Sequence, residues 1–390
     1  MPPLSAAAVR LLLVGGGHAH IHLLRCAARA PLAASGEVEL VLVSPFALHH
    51  YSGMLPGYLA GRRAERELAF DLRRLAAAAG ARFVEAPAER IDGAARTVVA
   101  GGERLAYDLL SLDLGSQPAN LEVPGVREHA FTVRPMARAI ALRQRALELA
   151  AAGAGREVAL TVVGGGAAGV EVALALERLG QQGPARPAVT IVESASGILP
   201  EFSPRLRRRA TGVLAARGIR VRAGQEVASV EPHAVVLDDG TRLRSELTVW
   251  IAGAAPPTLL AASGLPLDAR GFLLVDASLR AVDGSAVFGA GDCIGIAGHP
   301  DLAKAGVYAV REAPVLDHNL RAFLAGKEPR QFRPQRSFLA LLDTADGRAL
   351  WRWRGLSGHS RWAARLKRRI DGAFVRRYQG SAASEKIAPV

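Results

Sequence analysis

Two glycine-rich turns with matching surroundings constrain this fold more than any other feature. The first lies in "LLLVGGGHAHIHLLR" (11–25) and the second in "LTVVGGGAAGVEVALALERLG" (160–180). Each turn follows an apolar, β-rich run and precedes a helical pattern, and 29 residues after its first glycine a second apolar run ends. The two units are offset by 149 residues throughout. This repetition predicts a duplicated strand–turn–helix–strand unit.

Such a turn is typical of a dinucleotide site. The first glycine permits a tight turn, the second lets a pyrophosphate approach the backbone, and the third lets the helix pack against the strand. The start of the helix then offers free N–H groups and a positive dipole end to the phosphates. One glycine-rich turn is weak evidence, because such turns also close ordinary loops. Two turns in matched contexts favour nucleotide binding.

The second unit has the complete pattern. Gly164, Gly166 and Gly169 are its three glycines, and Glu193 ends the following strand. A carboxylate there would accept hydrogen bonds from a free ribose 2′-hydroxyl and repel a 2′-phosphate, which favours NADH over NADPH. A basic cluster that could attract a 2′-phosphate follows at Arg205, Arg207, Arg208 and Arg209. Its spacing is more typical of a solvated helix face.

The first unit departs from the pattern at two positions. Gly15 and Gly17 are present, but His20 stands in place of the third glycine and Ser44 in place of the acid. A side chain at 20 should hold helix and strand slightly further apart, and a serine can still bond a ribose hydroxyl. His18, His20 and His22 alternate along this helix, but they do not share one face. A metal site is therefore the weaker interpretation.

Three later segments complete the order of elements. In "GFLLVDASLRAVDGSAVFGAGDCIGIAG" (271–298), a short strand ends at Gly291 and Asp292, which predicts a second contact with the ligand. A helix is expected to follow from about Lys304. The segments "YDLLSLDLGS" (107–116) and "ELTVWIAGAAP" (246–256) are apolar strands that close on small residues, including Gly115 and Gly253. We interpret both as crossover points between domains, and we expect Gly115 and Gly253, like His18 of the first turn, to contact the bound nucleotide.

This order resembles the flavoproteins with two dinucleotide-binding domains, the pyridine nucleotide-disulfide oxidoreductase superfamily. The resemblance covers residues 8 to about 325 and implies an α/β fold with two Rossmann-like domains. It implies an FAD domain formed by 1–122 and 254–325, with an NAD(H) domain, 123–253, inserted between them. Residues 326–390 would form a small α+β region. Asp292 would then bind a ribitol hydroxyl of FAD.

Within that superfamily, several segments resemble the flavoproteins that are often fused in front of selenide, water dikinase. They are "VGGGHAHIHLLR", "YSGMLPGYLAG", "FDLRRLAAAAGARFV", "YDLLSLDLGS", "KAGVYAVREAP" and "RPQRSFLALLDTADGRAL". The resemblance implies that His20 and Ser44 are group features. The chain ends soon after Tyr378, without a kinase domain, which predicts a stand-alone protein. A role with selenium or sulfur species stays an open alternative.

The cysteines argue against thiol chemistry. The superfamily often passes electrons from flavin to a cysteine pair, but "HHYSGMLPGYLAG", where that pair would lie, contains no cysteine. The chain has only Cys26 and Cys293, which we expect to pack in the interior. The domain order is similar to that of type II NADH:quinone oxidoreductases. This predicts hydride transfer from NADH to FAD and electron transfer to a non-thiol acceptor, with quinone favoured; a non-catalytic flavin-bound redox sensor is a further alternative.

Two residues are candidates for tuning this chemistry. In the superfamily, a glutamate at the position of Glu171 lies near the contact between nicotinamide and flavin. Lys304 would begin a helix that points at the flavin, where a cation stabilises developing negative charge. It is one of few lysines in an arginine-rich chain, which suggests that a compact charge matters there. Tyr51 and Met54 could line the flavin ring.

The C-terminal segment combines an apolar stripe with positive charge. Trp362, Leu366, Ile370 and Phe374 recur every four residues within 359–378, among many arginines, and the whole chain has a net charge of +13. This favours an interfacial helix on anionic lipid; core packing or a homodimer contact are the alternatives. No nucleic-acid reading motif accompanies the charge. With no apolar run of 18 to 20 residues and few cysteines, we expect a cytoplasmic protein, with peripheral attachment at the inner membrane face as a further option.

Overall fold

The computed structural model describes residues 8–32, 38–335 and 337–379. The strands of the first part are β1 (Val9–Val14), β2 (Val38–Ser44), β3 (Leu48–His50), β4 (Ala69–Asp71), β5 (Arg82–Glu85), β6 (Ala88–Asp92), β7 (Thr97–Ala100), β8 (Glu103–Ala106), β9 (Leu109–Leu112) and β10 (Gln117–Pro118). The helices of this part are α1 (His18–Ala27), α2 (Leu55–Leu59) and α3 (Leu72–Ala78).

The middle part contains the helices α4 (Val126–His129), α5 (Met136–Ala150), α6 (Ala167–Gly180) and α7 (Pro204–Ala216). Its strands are β11 (Ala130–Phe131), β12 (Glu157–Val163), β13 (Arg186–Glu193), β14 (Arg220–Ala223), β15 (Val227–Glu231), β16 (Ala234–Leu237), β17 (Arg242–Arg244), β18 (Leu247–Trp250) and β19 (Ala254–Ala255).

The last part contains the strands β20 (Leu273–Val275), β21 (Val287–Gly289), β22 (Ile294–Ile296), β23 (Ala340–Asp343), β24 (Ala349–Trp353) and β25 (Leu356–Ser360). Its helices are α8 (Gly306–Leu324) and α9 (Arg361–Gln379). Short 3-10 turns occur at Ser52–Met54, Glu65–Glu67, Thr258–Leu260 and Gly291–Cys293.

The first parallel sheet carries the first glycine turn. Its strand order is β21-β9-β1-β2-β5, and every neighbouring pair is parallel. Leu11, Leu12 and Leu13 of the central strand are at most 2% exposed. A strand that is covered on both faces has to be apolar at successive positions, and this one is. Because β9 ends at Leu112 and β21 begins at Val287, the chain leaves this sheet and later returns to it.

The second parallel sheet repeats the geometry of the first. Its order is β11-β18-β12-β13-β14, again with every pair parallel. Val14 pairs with Val43 in the first sheet, and Val163 pairs with Val192 in the second, which is the same pairing shifted by 149 residues. The predicted α/β fold with two Rossmann-like sheets is confirmed. The domain boundaries at 122, 254 and 325 stay predictions.

The C-terminal region covers the first two units. Strands β23, β24 and β25 form an antiparallel sheet, and α9 packs against this sheet and against β4. Strand β23 also contacts α6 of the second unit. The region therefore brings its side chains to the junction of the two parallel sheets. Within the part of the chain that the structure describes, no helix is both long and apolar enough to cross a membrane.

Candidate active site

The first glycine turn is too crowded for any larger residue. Gly15 follows β1 with a φ of +98°, a conformation that glycine adopts readily. A Cβ atom at Gly15 would lie 2.3 Å from the carbonyl oxygen of Asp113, and one at Gly17 would lie 2.2 Å from Oδ1 of the same residue. Both glycines are therefore required by the close approach of β9. They leave the backbone of Gly16 and Gly17 partly accessible before α1, where a pyrophosphate would approach.

His20 replaces the third glycine with a pair of buried hydrogen bonds. Its Nδ1 lies 2.6 Å from the carbonyl oxygen of Gly15, and its Nε2 lies 2.9 Å from Oγ of Ser111. Burial lowers the pKa of His20 to about 4, so the ring is neutral at pH 7. Since the Gly15 carbonyl can only accept, Nδ1 donates and Nε2 accepts the Ser111 hydroxyl. The imidazole thus ties the turn to β1 and β9.

A buried carboxyl group stands at the start of α1. The backbone N–H groups of Ala19 and His20 donate to Oδ2 of Asp113 at 2.7 and 3.2 Å. Burial raises the pKa of Asp113 to about 7, although these two donors oppose that rise. Asp113 was not among the predicted site residues. The sequence feature that could have identified it is an acidic residue at the end of a mostly apolar strand, in "LLSLDLG".

A deep cavity begins at this turn and has a volume of about 800 Å³. We call it the cofactor cavity. Its wall includes these residues predicted for the cofactor: Gly15, Gly17, His18, Ser44, Tyr51, Gly115, Gly291 and Asp292. The volume lies within the range of about 300 to 1,000 Å³ that is usual for ligand sites. The glycine turn in its wall and its volume together fit FAD.

Two imidazole groups in this wall lack a partner among the described residues. The Nε2 atoms of His18 and His49 are buried and form no hydrogen bond there. Their rings meet edge to face, with centroids 4.9 Å apart. Burial lowers the pKa of His18 to about 4 and that of His49 well below its usual range, so both rings are neutral at pH 7. A buried polar atom without a partner is costly, so both nitrogens fit hydrogen bonds to a bound cofactor.

Asp292 lies in the wall of the cofactor cavity, close enough to interact electrostatically with His18 and Asp113. Its Oδ2 accepts hydrogen bonds from Nη1 of Arg134 at 3.3 Å and from Oγ of Ser116 at 3.4 Å. Arg134 follows the crossover from the first sheet to the second, and it is the one Arg or Lys among the described residues of this wall. It was not predicted. An arginine in this position is suited to a cofactor that carries phosphates.

Three predicted site residues lie away from this wall as far as the structure describes it. Met54 is buried beside the cavity, and Gly253 is a turn residue with a φ of +62°. Lys304 is not the first residue of its helix, because α8 begins at Gly306. Its ammonium group donates to the carbonyl oxygen of Ile294 and lies 3.8 Å from the ring centroid of Phe272. The expectation that Lys304 begins this helix is therefore wrong, and its place beside the flavin stays a prediction.

The second glycine turn has the geometry that its sequence predicts. Gly164 has a φ of +107°, and a Cβ atom at Gly169 would lie 1.8 Å from the carbonyl oxygen of Gly164. Helix α6 therefore packs directly onto its turn. At the end of β13, the carboxylate of Glu193 accepts N–H bonds from Gly165 at 2.6 Å and Ala195 at 2.8 Å. These bonds fix the carboxylate at the strand tip.

Two more charged residues lie beside this turn. Oε1 of Glu201 accepts the backbone N–H of Ala167 at 3.2 Å, so a carboxylate occupies the start of α6. Nε of Arg207 donates to the carbonyl oxygen of Ile198 at 3.2 Å, on the loop that follows Glu193. The side chain of Arg207 therefore bonds the loop that follows the predicted ribose site, whereas the sequence predicted a solvated side chain. The preference for NADH over NADPH stays a prediction.

Glu171 lies at the junction of the two units and the C-terminal region. Its Oε1 accepts the backbone N–H of Asp343, in β23, at 2.7 Å. Burial raises the pKa of Glu171 to about 7, while the ammonium group of Lys367 opposes this rise. Glu171 is not among the described residues of the cofactor cavity wall. It interacts electrostatically with Lys367 and Asp371 of α9 and with Tyr51, which lines that wall.

Lys367 and Asp371 of α9 continue this cluster and were not predicted. Nζ of Lys367 lies 3.1 Å from Oδ2 of Asp371 and donates to the carbonyl oxygen of Gly53 at 2.7 Å. The hydroxyl group of Tyr51 donates to Oδ1 of Asp371 at 3.2 Å. Lys367 is one of the few lysines in the chain, the same signal that pointed to Lys304. Its ammonium group is the compact cation of this cluster.

The two cysteines do not form a redox pair in the described structure. Both are free thiols. Sγ of Cys26 lies 3.5 Å from Nε2 of His22, in the same helix. Cys293 is fully buried, and burial raises the pKa of its thiol to about 12. A thiol with a raised pKa is a poor nucleophile.

The predicted apolar stripe of α9 is divided between two faces. Trp362 and Ile370 are 49% and 44% exposed, as predicted for an outward stripe. Phe374 turns inward instead, with its ring centroid 4.7 Å from that of Tyr51 and 5.5 Å from that of His18. The expectation of one continuous outward stripe is therefore wrong at Phe374. The hairpin of β24 and β25 adds two exposed apolar residues beside the outward pair, Trp353 and Leu356.

Comparison with known families decides the class of this chain. The family model described as pyridine nucleotide-disulphide oxidoreductase matches residues 9–310. The chain belongs to this family. An NADH dehydrogenase-like protein of Mycobacterium tuberculosis is 31% identical over 73% of this chain and 72% of its own length. The type II NADH:quinone oxidoreductase of Staphylococcus saprophyticus is 23% identical, over 94% of this chain and 95% of its own length.

A solved structure has the same fold. The sulfide:quinone oxidoreductase of Aquifex aeolicus superposes with a TM-score of 0.80 at 20% identity, over 95% of this chain and 92% of that chain. Membership of the pyridine nucleotide-disulphide oxidoreductase family identifies an FAD-dependent enzyme that uses a nicotinamide nucleotide. The first glycine turn and the cofactor cavity fit FAD. The second turn, with its three glycines and Glu193, fits the nicotinamide nucleotide.

Proposed function

We propose that this protein oxidises NADH and reduces a quinone through FAD. The observation that carries the proposal is the cofactor cavity, whose described wall contains the first glycine turn and no cysteine. A family member of this kind has to pass its electrons to an acceptor other than a protein disulfide. Quinone is favoured because relatives that match over most of their length, or share the fold, are named as quinone oxidoreductases.

The residues of this chain would hold and tune the reactants. FAD, when bound, accepts electrons from NADH and passes them to the acceptor. Glu193 would bind the ribose of NADH, and the start of α6 would face its pyrophosphate. Glu171 and Lys367 would supply the charged groups near the reacting rings. We assign to Lys367 the cationic role that the sequence suggested for Lys304.

The test is anaerobic reduction of the purified protein with NADH, followed by mixing with one acceptor at a time. The acceptors are a short-chain quinone, selenite and polysulfide, and the oxidation of the flavin is followed by its absorbance. We expect rapid oxidation by the quinone and slow oxidation by the other two. Faster oxidation by selenite or polysulfide would indicate that the electron acceptor is a selenium or sulfur species instead. Slow oxidation by all three would favour a redox sensor.

We further propose that α9 and the adjacent hairpin bind anionic lipid. Trp362 and Ile370 lie on the outer side of α9, and Trp353 and Leu356 are exposed beside them. The surrounding exposed arginines are Arg361, Arg365, Arg368 and Arg369. Aromatic and aliphatic side chains among arginines match the composition of an interfacial surface. This surface would place the protein where a lipid-soluble quinone is found.

Sedimentation with anionic vesicles tests the lipid surface. We expect the double variant Trp362→Ser, Ile370→Ser to bind vesicles at least 10-fold more weakly, because two apolar side chains no longer enter the interface. Val282→Ser is a matched control, since Val282 is also 44% exposed but lies elsewhere. Unchanged vesicle binding by the double variant would contradict the proposal. A loss of dimer mass in ultracentrifugation instead would assign the patch to a homodimer contact.

A further inference from the structure

The proposed reaction requires a proton from solvent in every turnover. NADH delivers a hydride, which carries two electrons and one proton, whereas a quinone needs two electrons and two protons to become a quinol. The balance is NADH + H⁺ + quinone → NAD⁺ + quinol. A site that excludes water around its reacting rings therefore needs a route for one proton.

A second cavity, of about 820 Å³, lies on the other side of Tyr51 and Asp371. We call it the basic cavity. Its charged lining residues are Arg62, Arg63, Arg178, Arg217, Lys367, Arg368, Asp343, Asp346 and Asp371. Arg178 and Arg368 are exposed, so the cavity reaches the protein surface there. A recess of this size lined by charged side chains admits water, which can supply the proton.

Two side chains bridge the two cavities. Asp371 lines the basic cavity, and Tyr51 lines the cofactor cavity. The Tyr51 hydroxyl group and Oδ1 of Asp371 are 3.2 Å apart, while Oδ2 of Asp371 lies 3.1 Å from Nζ of Lys367. The Phe374 ring packs against the Tyr51 ring, with centroids 4.7 Å apart, and Asp371 is 6% exposed. The bridge is thus short, continuous and shielded.

We propose that Asp371 and Tyr51 form the route by which a solvent proton passes from the basic cavity to the quinone; this rests on the proposed function. The Asp371 carboxylate takes a proton from water in the basic cavity. Tyr51 gives its hydroxyl proton to the reduced quinone oxygen and takes the proton of Asp371 in return. Both residues end the cycle in their starting state. Tyr51 is then a catalytic residue, and Asp371 acts through it.

The surroundings of Asp371 support this relay. Asp371 is only 6% exposed, and burial raises the pKa of its carboxyl group while Lys367 opposes the rise. It therefore holds a proton more readily than a surface aspartate does. The tyrosine hydroxyl group can both donate and accept, and its hydrogen rotates between the two directions. The pKa of Tyr51 is raised by burial and by Asp371, so it stays protonated between transfers.

The experiment measures the two half-reactions of Tyr51→Phe and Asp371→Asn by stopped flow. Reduction of the flavin by NADH should stay within about 2-fold of the wild type. Oxidation by quinone should fall at least 10-fold, since a positioned acid typically contributes about 10²- to 10⁴-fold. Oxidation by ferricyanide, which takes electrons without protons, should not change. Tyr58→Phe is the control, because Tyr58 is also buried but does not line the cofactor cavity.

Three results would overturn the route. One is quinone oxidation at the wild-type rate in Tyr51→Phe. Another is an equal loss with ferricyanide, which would show that Tyr51 only positions the cofactor. The third is a failure of added formate or acetate, at any concentration, to restore quinone oxidation in Asp371→Asn. A wild-type protein that reduces ferricyanide but no quinone would instead refute the proposed function.

Discussion

Gly169 gives the sharpest test of the second nucleotide site. In Gly169→Ala, the new methyl group would lie 1.8 Å from the carbonyl oxygen of Gly164, where ordinary contacts begin at 3.4 Å. Helix α6 would have to move by more than 1 Å, because packed backbone atoms do not interpenetrate. A displacement of about 1 Å can reduce rates by about 10²-fold. We therefore expect NADH to bind about 10- to 100-fold more weakly, while the FAD content stays at the wild-type level.

The assay is flavin reduction at increasing NADH concentration, with bound FAD measured by absorbance. Overpacking destabilises by about 1 to 3 kcal/mol, so the melting temperature should also fall modestly. Gly212→Ala is the matched control, because Gly212 lies within α7 of the same sheet unit and a Cβ atom there meets nothing within 4 Å. That control should bind NADH normally. Saturation of Gly169→Ala at wild-type NADH concentrations would refute the argument.

Three further changes test separate groups. Glu193→Gln should raise the ratio of kcat/KM for NADPH over NADH by about 10-fold, because it removes the charge that repels a 2′-phosphate; an unchanged ratio would count against a ribose contact. Glu171 has a pKa of about 7 in the folded protein, above its ordinary 4.5. The wild type therefore loses stability as pH rises from about 4.5 to 7. Over that window the melting temperature of Glu171→Gln should rise relative to that of the wild type. Melting temperatures that change in parallel with pH would contradict the pKa shift. Arg217→Ala leaves Glu177, 3% exposed, without its ion-pair partner. Urea unfolding should show a loss of about 3 to 5 kcal/mol, with little loss when Glu177→Leu and Arg217→Met are combined.

The fold could be predicted because its signals are local and repeated. Apolar runs, glycine turns and helix periodicity each lie within a short stretch of chain, and the repeat at 149 residues tied two such stretches together. The register of Val14 with Val43 and of Val163 with Val192 follows from that repeat. The split of the first sheet followed from the resemblance, and the pairing of β9 with β21 agrees with it.

The site was predicted only where its residues belong to those local signals. Gly15, Gly17 and Asp292 reach the cofactor cavity because a glycine turn and a strand end fix their positions. Lys304 and Lys367 carry the same compositional signal, but only tertiary packing decides which groups each of them meets. Lys304 packs against Phe272, whereas Lys367 meets Asp371 in a helix that docks from the far end of the chain. No short stretch of sequence contains that information.

The departure of the first turn at His20 is part of one compensating set. A histidine at the third glycine position would by itself leave a buried imidazole with two unpaired nitrogens. Here the Gly15 carbonyl group and the Ser111 hydroxyl group satisfy both, and the Asp113 carboxyl group bonds the N–H of the same histidine. Ser111 and Asp113 alternate with apolar residues at the end of β9, so both polar groups depend on His20 and α1 for partners. Replacing His20 with glycine would therefore restore the motif but leave the Ser111 hydroxyl group without its hydrogen-bond partner. The histidine belongs to a buried polar network that holds the turn closed, and its deviation from the motif is a different solution to the same packing requirement.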